Sequence, residues 1–361
     1  MKKQHILLAL FFYVCAVIYL CVTTPISPHE AKIFYTQNNV LSTLMHFGTD
    51  IFDGFLGFRV PFLLLGFISI GLFYLLSKNY FKKSQDTYLS TTIFMFLPGI
   101  LTASTLVNIA ILVLPFVLFF ILMYEKGYFW VLPFVMLVLF FIHETSMIFF
   151  VAVFLYALSQ KEKKLAIASA TFLIAFVVLE KGIEIGGRPS GHFIEIFGLY
   201  ASVFSPLLFL YFFYAMYRIL LREKKTLLWY ISFTALIFSL VLSIRQRVYI
   251  ADFAPYVMIA IILMLDVFNH SIRVRLPYFK KPYLIGFLSV IAVLGVSTII
   301  IVSHQFSYYI MKDDTKHFAK RIYEPYDLAK SLKNKGLKCY DNAKGKEVYQ
   351  LRYYGIASCS N

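Results

Sequence analysis

Residues 24–59 read TPISPHEAKIFYTQNNVLSTLMHFGTDIFDGFLGFR and lie between two apolar runs, Ile6 to Val22 and Val60 to Ser77. A helix that crosses a bilayer needs about 20 apolar residues, and both flanks approach that length. The stretch is therefore read as a loop at a membrane face. It carries His29 and Glu30 just beyond the first run, then Asp50 and Asp53, and Arg59 at the mouth of the second run. An acid at the lip of a membrane protein can take a proton from an acceptor while a lipid-borne substrate stays in the bilayer. The bland reading of the same dipeptide is an interfacial loop that is simply polar.

Composition supports the membrane reading. The 361 residues are 60% hydrophobic and 15% charged, with mean hydropathy +0.74, whereas a soluble domain carries roughly 25% charged residues. The formal charge of +15 could suit nucleic acid, but the basic residues follow membrane topology and form no face for a duplex. Hydropathy predicts about eleven spans, at 5–23, 60–77, 88–104, 106–124, 128–142, 145–159, 165–180, 198–220, 226–243, 254–269 and 284–303. The first follows Met1-Lys2-Lys3 and lacks a small-residue cleavage site, so it reads as a retained span.

With the N-terminus inside, the inner connections carry seventeen Lys and Arg. The outer loops before the tail carry six: Lys32, Arg59, Lys181, Arg188, Arg245 and Arg247. That bias puts the 24–59 loop outside, and an odd number of spans puts the tail outside as well. The organisation expected is a membrane domain at 1–303 and a small appended α+β domain at 304–361. The latter has a helix near Lys320 to Lys335 and short strands at Leu337 to Tyr340 and Glu347 to Tyr354. A Cys339–Cys359 disulfide would staple this weak core in an oxidising compartment; the alternative is two buried thiols.

Ionisable groups at membrane depth are functional candidates by default. Beyond the first loop these include His143-Glu144, set inside FFIHETSMIFF, and Arg245-Gln246-Arg247-Val248-Tyr249, with Asp252 following. The alternative for the first is a solvated re-entrant turn. Two arginines placed against the topological bias suggest an anion to meet them, and guanidinium forks suit phosphate. Arg59 reads either as a phosphate ligand or as an interfacial arginine. The loop 180–195, with Glu180, Lys181, Glu184, Arg188, His192 and Glu195, is rich in Gly and could act as a lid or as an ordinary connection. No CxxC, HExxH or GxSxG is present, which speaks against structural zinc and a serine hydrolase. A divalent cation on Glu30 with Asp50 or Asp53 stays open.

Four blocks in order carry a resemblance: PHEAKIFY at 28–35, HFGTDIFDGFLGFRVP at 46–61, FLPGILTASTLVNIAIL at 96–112 and SIRQRVYIADFAPYVMIAI at 243–261. The chain resembles the GT-C class of glycosyltransferases, in the branch of the protein O-mannosyltransferases and the lipid A aminoarabinose transferases. That family opens its first outer loop with an acidic pair; here His29 stands at the first place and Glu30 at the second. The third block has Asn108 where the family commonly has Asp. The resemblance implies an all-α polytopic fold in a bacterial inner membrane, with the N-terminus cytoplasmic and the C-terminus periplasmic. It also implies inverting transfer of a sugar from an undecaprenyl-phosphate or related polyprenyl-phosphate donor to a lipid, glycan or protein acceptor. The roles expected are proton acceptor for Glu30, aided by His29 or replaced by Asp50 or Asp53, and donor-phosphate binding for Arg59, Arg245, Arg247 and Tyr249. No nucleotide and no obligatory cofactor is implied, and the partners are membrane lipids and the donor instead of nucleic acid. The rivals are an O-antigen polymerase or ligase, which would concentrate its arginines in large mid-to-late loops, and a non-enzymatic transporter, which would show related halves or charges within spans.

Overall fold

The computed structural model describes residues 3–180, 186, 192–310 and 317–359. Among them all regular structure is helical; there is no strand, and one isolated bridge joins Cys339 to Ala357. Among the described residues, four helices are long and apolar enough to cross a membrane: Lys3–Thr23, Val60–Tyr80, Leu227–Arg245 and Pro277–Val302. Three bent pairs raise the number to seven if each is one span. The protein is thus helical with several candidate membrane spans, and the expected number of about eleven is not reached on length and composition. The difference comes from breaks: Ile109–Glu125, Leu132–Ile142 and Ser146–Gln160 are apolar but each shorter than 18 residues.

The chain divides into two compact units. The first comprises the residues up to Tyr13, Leu65–Ala103 and Asn108–Thr298. Its core is aromatic, with Phe73 stacked on Phe94 at 3.8 Å and Phe120, Phe149 and Phe150 fully buried. Two of its bends have a local cause. Ser84–Met95 and Pro98–Thr105 meet at 57°, where Pro98 cannot donate to the preceding turn. At Gly99 a Cβ would lie 2.7 Å from both Met258 Sδ and Val203 Cγ1, so any larger residue forces those side chains to shift. Phe193–Phe204 and Pro206–Arg222 meet at 107°, where Ser205 takes φ +84°, a region that costs a non-glycine residue energy.

The second unit comprises Val14–Leu64, Ser104–Val107 and the residues from Ile299 onward. The 24–59 stretch folds into Pro28–Thr36, Val40–Ile51 and the single turn Gly54–Gly57. Asn39 caps the second of these by accepting from the Ser42 N–H at 3.0 Å. Backbones touch at two glycines. A Cβ on Gly48 would lie 2.3 Å from the Gly57 carbonyl oxygen, and one on Gly57 would lie 1.9 Å from that of Phe52. Gly48→Ala and Gly57→Ala are each expected to destabilise this unit by about 1–3 kcal/mol, as overpacking does. A lowered melting temperature of the detergent-purified protein would register the effect, and wild-type melting in both variants would contradict it.

In the tail, the helix Lys320–Asn334 forms where expected, but the strand predicted at 347–354 is the helix Glu347–Tyr353. Glu347 lies in its first turn and Arg352 in its last, each favourable to the helix dipole. Gly355, at φ +79°, follows the turn that ends it. The expected α+β character reduces to the bridge, where the N–H groups of Tyr340 and Ala357 donate to the carbonyls of Ala357 and Lys338 at 2.9 Å each. Cys339 and Cys359 are disulfide-bonded. A small core of Ala329, Leu332, Leu351 and Ile356 packs with Leu328, Tyr340, Ala343 and Tyr354.

Candidate functional site

In the second unit the first loop is organised by Glu30 and Arg59, both with no exposed surface. The local cause begins at Ser27-Pro28-His29-Glu30. The Ser27 hydroxyl accepts from the Glu30 N–H at 3.2 Å, and the Glu30 carboxylate accepts from the Ser27 N–H at 2.8 Å. This is a capping box with Pro at the first helical position. The box aims Glu30 inward, where Arg59 meets it with two parallel bonds: Nε to Oε1 at 3.0 Å and Nη2 to Oε2 at 2.8 Å. The Val107 N–H donates to Oε1 at 3.0 Å.

The pair is saturated on both sides. An ionised carboxylate has about four acceptor sites and a guanidinium five donors. Glu30 accepts its four bonds from Ser27, Val107 and Arg59. Arg59 places its remaining three N–H groups on the carbonyls of Cys21 at 3.1 Å, Thr24 at 2.6 Å and Pro25 at 3.0 Å. Burial by itself would push the Glu30 carboxyl up, but the Arg59 charge and the hydrogen bonds hold it below the usual value. Glu30 is therefore ionised near neutral pH with no lone pair free for an acceptor proton or a cation. Likewise Arg59 has no N–H left for a phosphate.

His29, one residue earlier in the same helix, is exposed. Its imidazole pKa is lowered, first by packing and then by Lys346 and Lys32, against the opposing pull of Glu30. The positive end of the helix dipole acts in the same direction. A neutral imidazole at neutral pH can accept a proton. Asp50 and Asp53 are also exposed, and Asp53 precedes Gly54–Gly57 without a side-chain capping bond. The structure thus places Glu30 and Arg59 together, His29 beside them in sequence and at the surface, and the two aspartates exposed on the same loop.

The tail contributes partners that the sequence did not suggest. Gln350 Nε2 donates to the Ile26 carbonyl at 2.9 Å, and the Ile26 N–H donates to the Tyr354 hydroxyl at 3.2 Å. Tyr353 packs edge-on against Phe34 and Phe58 and stacks on Phe55. The signal for Glu30 was present as Ser-x-x-Glu, whereas nothing local marks Gln350 or Tyr354.

In the first unit, two late groups are assembled. His143 Nδ1 lies 2.6 Å from Thr145 Oγ1 and accepts from the Thr145 N–H at 3.2 Å, which leaves Nε2 to carry the proton. Nε2 is 3.9 Å from Asp252 Oδ1, beyond hydrogen-bond length. Burial lowers the His143 pKa, so this ring too is neutral at pH 7. Arg247 donates through Nε at 2.9 Å and contacts through Nη2 at 2.6 Å the same oxygen of Glu195, whose other oxygen meets His192 at 3.1 Å. Arg245 and Tyr249 are exposed, Tyr249 to 76%. Lys181, Glu184 and Arg188 of the expected lid lie outside the described residues. Among the described residues, no three His, Cys, Asp or Glu side chains are grouped to hold a metal. Compared with protein-family models and with curated proteins, the chain matches none of either.

Proposed function

We propose that the chain is a membrane glycosyltransferase that moves a sugar from a polyprenyl-phosphate carrier to an acceptor hydroxyl, with His29 as the proton acceptor. The observation that carries this reading is the contrast within one helical turn. Glu30 is spent on a saturated buried pair, while His29 is exposed and its imidazole is biased toward the neutral form. The order of sequence blocks around that loop supports the same reading.

In the proposed reaction the acceptor oxygen attacks the anomeric carbon of the sugar. The bond from that carbon to the phosphate oxygen breaks, and its electron pair leaves with the carrier phosphate. The acceptor proton passes to the His29 imidazole. Topologically, the basic inner connections support a cytoplasmic N-terminus in a bacterial inner membrane, with the first loop and the tail on the opposite face.

Detergent-purified protein incubated with a panel of undecaprenyl-phosphate sugars and an envelope extract as acceptor source tests the reading. Carrier phosphate released in proportion to enzyme, and absent without acceptor, is the expected result. No release from any sugar in the panel by folded protein would overturn it.

A further inference from the structure

Two helices of the first unit bring arginines to one cavity of about 490 Å³ that plays no part in the proposed transfer. Its walls include Tyr214, Tyr217, Arg218 and Arg222 from Pro206–Arg222, and Ser271 and Val274 from Ile261–Val274. Arg275, the residue that ends the latter helix, completes the cationic side.

The three arginines are held differently. Arg218 is anchored: it donates to the Ser271 hydroxyl, lies 3.4 Å from His270 Nδ1 and pairs with Glu223 at 3.2 Å. The Arg275 guanidinium carbon sits over the Tyr283 ring at 4.0 Å, a cation–π contact that uses none of its N–H donors. Arg222, in the last turn of its helix, is exposed and carries neither a hydrogen bond nor an ion pair. Two guanidinium forks with unused donors thus line the same hollow. Glu223 is committed to Arg218, and Asp266, which feels Glu223, His270 and Arg273, does not line the cavity.

The rim has the opposite character. Tyr217 is 56% exposed, Leu221 59% and Val274 68%, and all three line the cavity. Tyr278 and Phe279, at the start of Pro277–Val302, are exposed nearby in sequence. A small hydrated anion would gain nothing from such a rim. A ligand that joins a phosphodiester to acyl chains satisfies both parts, with the head on the forks and the chains along Tyr217, Leu221 and Val274. Tyrosines beside the arginines suit the interfacial depth of a headgroup.

We propose that this cavity is a binding site for the headgroup of an anionic phospholipid. The site selects charge through Arg222 and Arg275 and lipid over free phosphate through its apolar rim.

The test uses the full chain purified in detergent, with bound lipid counted by native mass spectrometry after titration with phosphatidylglycerol or phosphatidylcholine. Phosphatidylglycerol is expected to be retained in preference to phosphatidylcholine. The variant Arg222→Gln/Arg275→Gln should weaken that retention at least tenfold. Arg273→Gln, an exposed arginine that does not line the cavity, should leave it unchanged. Inorganic phosphate at millimolar concentration should not displace the lipid. Equal retention of the two lipids, wild-type retention by the double variant, or displacement by inorganic phosphate would each overturn the assignment. Size-exclusion elution and helical circular dichroism matching the wild type establish that the variants are folded.

Discussion

Replacing His29 by Gln is expected to lower release of the carrier phosphate by about 10²–10⁴-fold, the usual contribution of a general base, without lowering the melting temperature. His29 is exposed and no hydrogen bond ties its ring to the fold, so its loss removes chemistry and little packing. The pH profile gives a second readout. The imidazole pKa is lowered from 6.5, and only the neutral ring accepts a proton. The rate should therefore be flat through neutral pH and fall as pH drops, with a midpoint below 6.5. A midpoint at or above that value, or wild-type turnover by His29→Gln, would remove His29 from the reaction while leaving the glycosyl-transfer reading to be judged by turnover alone.

Breaking the buried pair from one side should be far more damaging to the fold. Arg59→Met leaves the Glu30 carboxylate uncompensated at zero exposure, and removing one partner of a buried pair costs about 3–5 kcal/mol. That is a large share of the roughly 5–15 kcal/mol that holds a domain folded, so the first loop is expected to come loose. Glu30→Gln should also destabilise, because the amide nitrogen that replaces one carboxylate oxygen cannot accept the bond that either Ser27, at Oε2, or Val107, at Oε1, now donates. The double variant Glu30→Leu/Arg59→Met should melt above Arg59→Met, since it strands no buried charge. It should still melt below wild type, because the carbonyls of Cys21, Thr24 and Pro25 lose their donors. Thermal unfolding in detergent measures all four proteins, and wild-type melting of Arg59→Met would refute the clasp. The acid dependence has a definite sign. Glu30 has a folded pKa lowered from 4.5, so the pair contributes fully above that value and is lost as pH falls through the folded value. Arg59, raised above its ordinary value by the Glu30 carboxylate against the opposing effect of burial, adds no titration in the accessible range.

How much of this was legible in the chain divides by range. Apolar runs gave the long helices, because span length is a local property; Lys3–Thr23 and Val60–Tyr80 lie where hydropathy puts them. The bends at Pro98 and Ser205 were not legible as bends, since a run of apolar residues looks alike whether it continues straight or turns by 107°. At the site, Glu30 stood out as an acid beside a span, and that salience suggested chemistry. Its Ser-x-x-Glu spacing, a capping signature readable from four residues, pointed instead to structure. Arg59 likewise read as a candidate phosphate ligand, whereas three of its five donors go to backbone carbonyls that no side-chain pattern announces. For Glu347–Tyr353, alternation in EVYQLRY fits a strand as well as a helix. Helix won because Gln350 and Leu351 are both buried, a choice set by tertiary neighbours.

The contacts of Ile26 have a consequence for biogenesis. Its carbonyl and N–H are met by side chains 324 and 328 residues further along the chain. A ribosome delivering roughly 5–20 residues per second needs tens of seconds to supply them. Throughout that interval the newly inserted first loop waits without its last partners. The nascent protein thus matures from its two distant ends together, and surveillance proteases meet an unfinished loop in any chain whose translation stalls before Gln350.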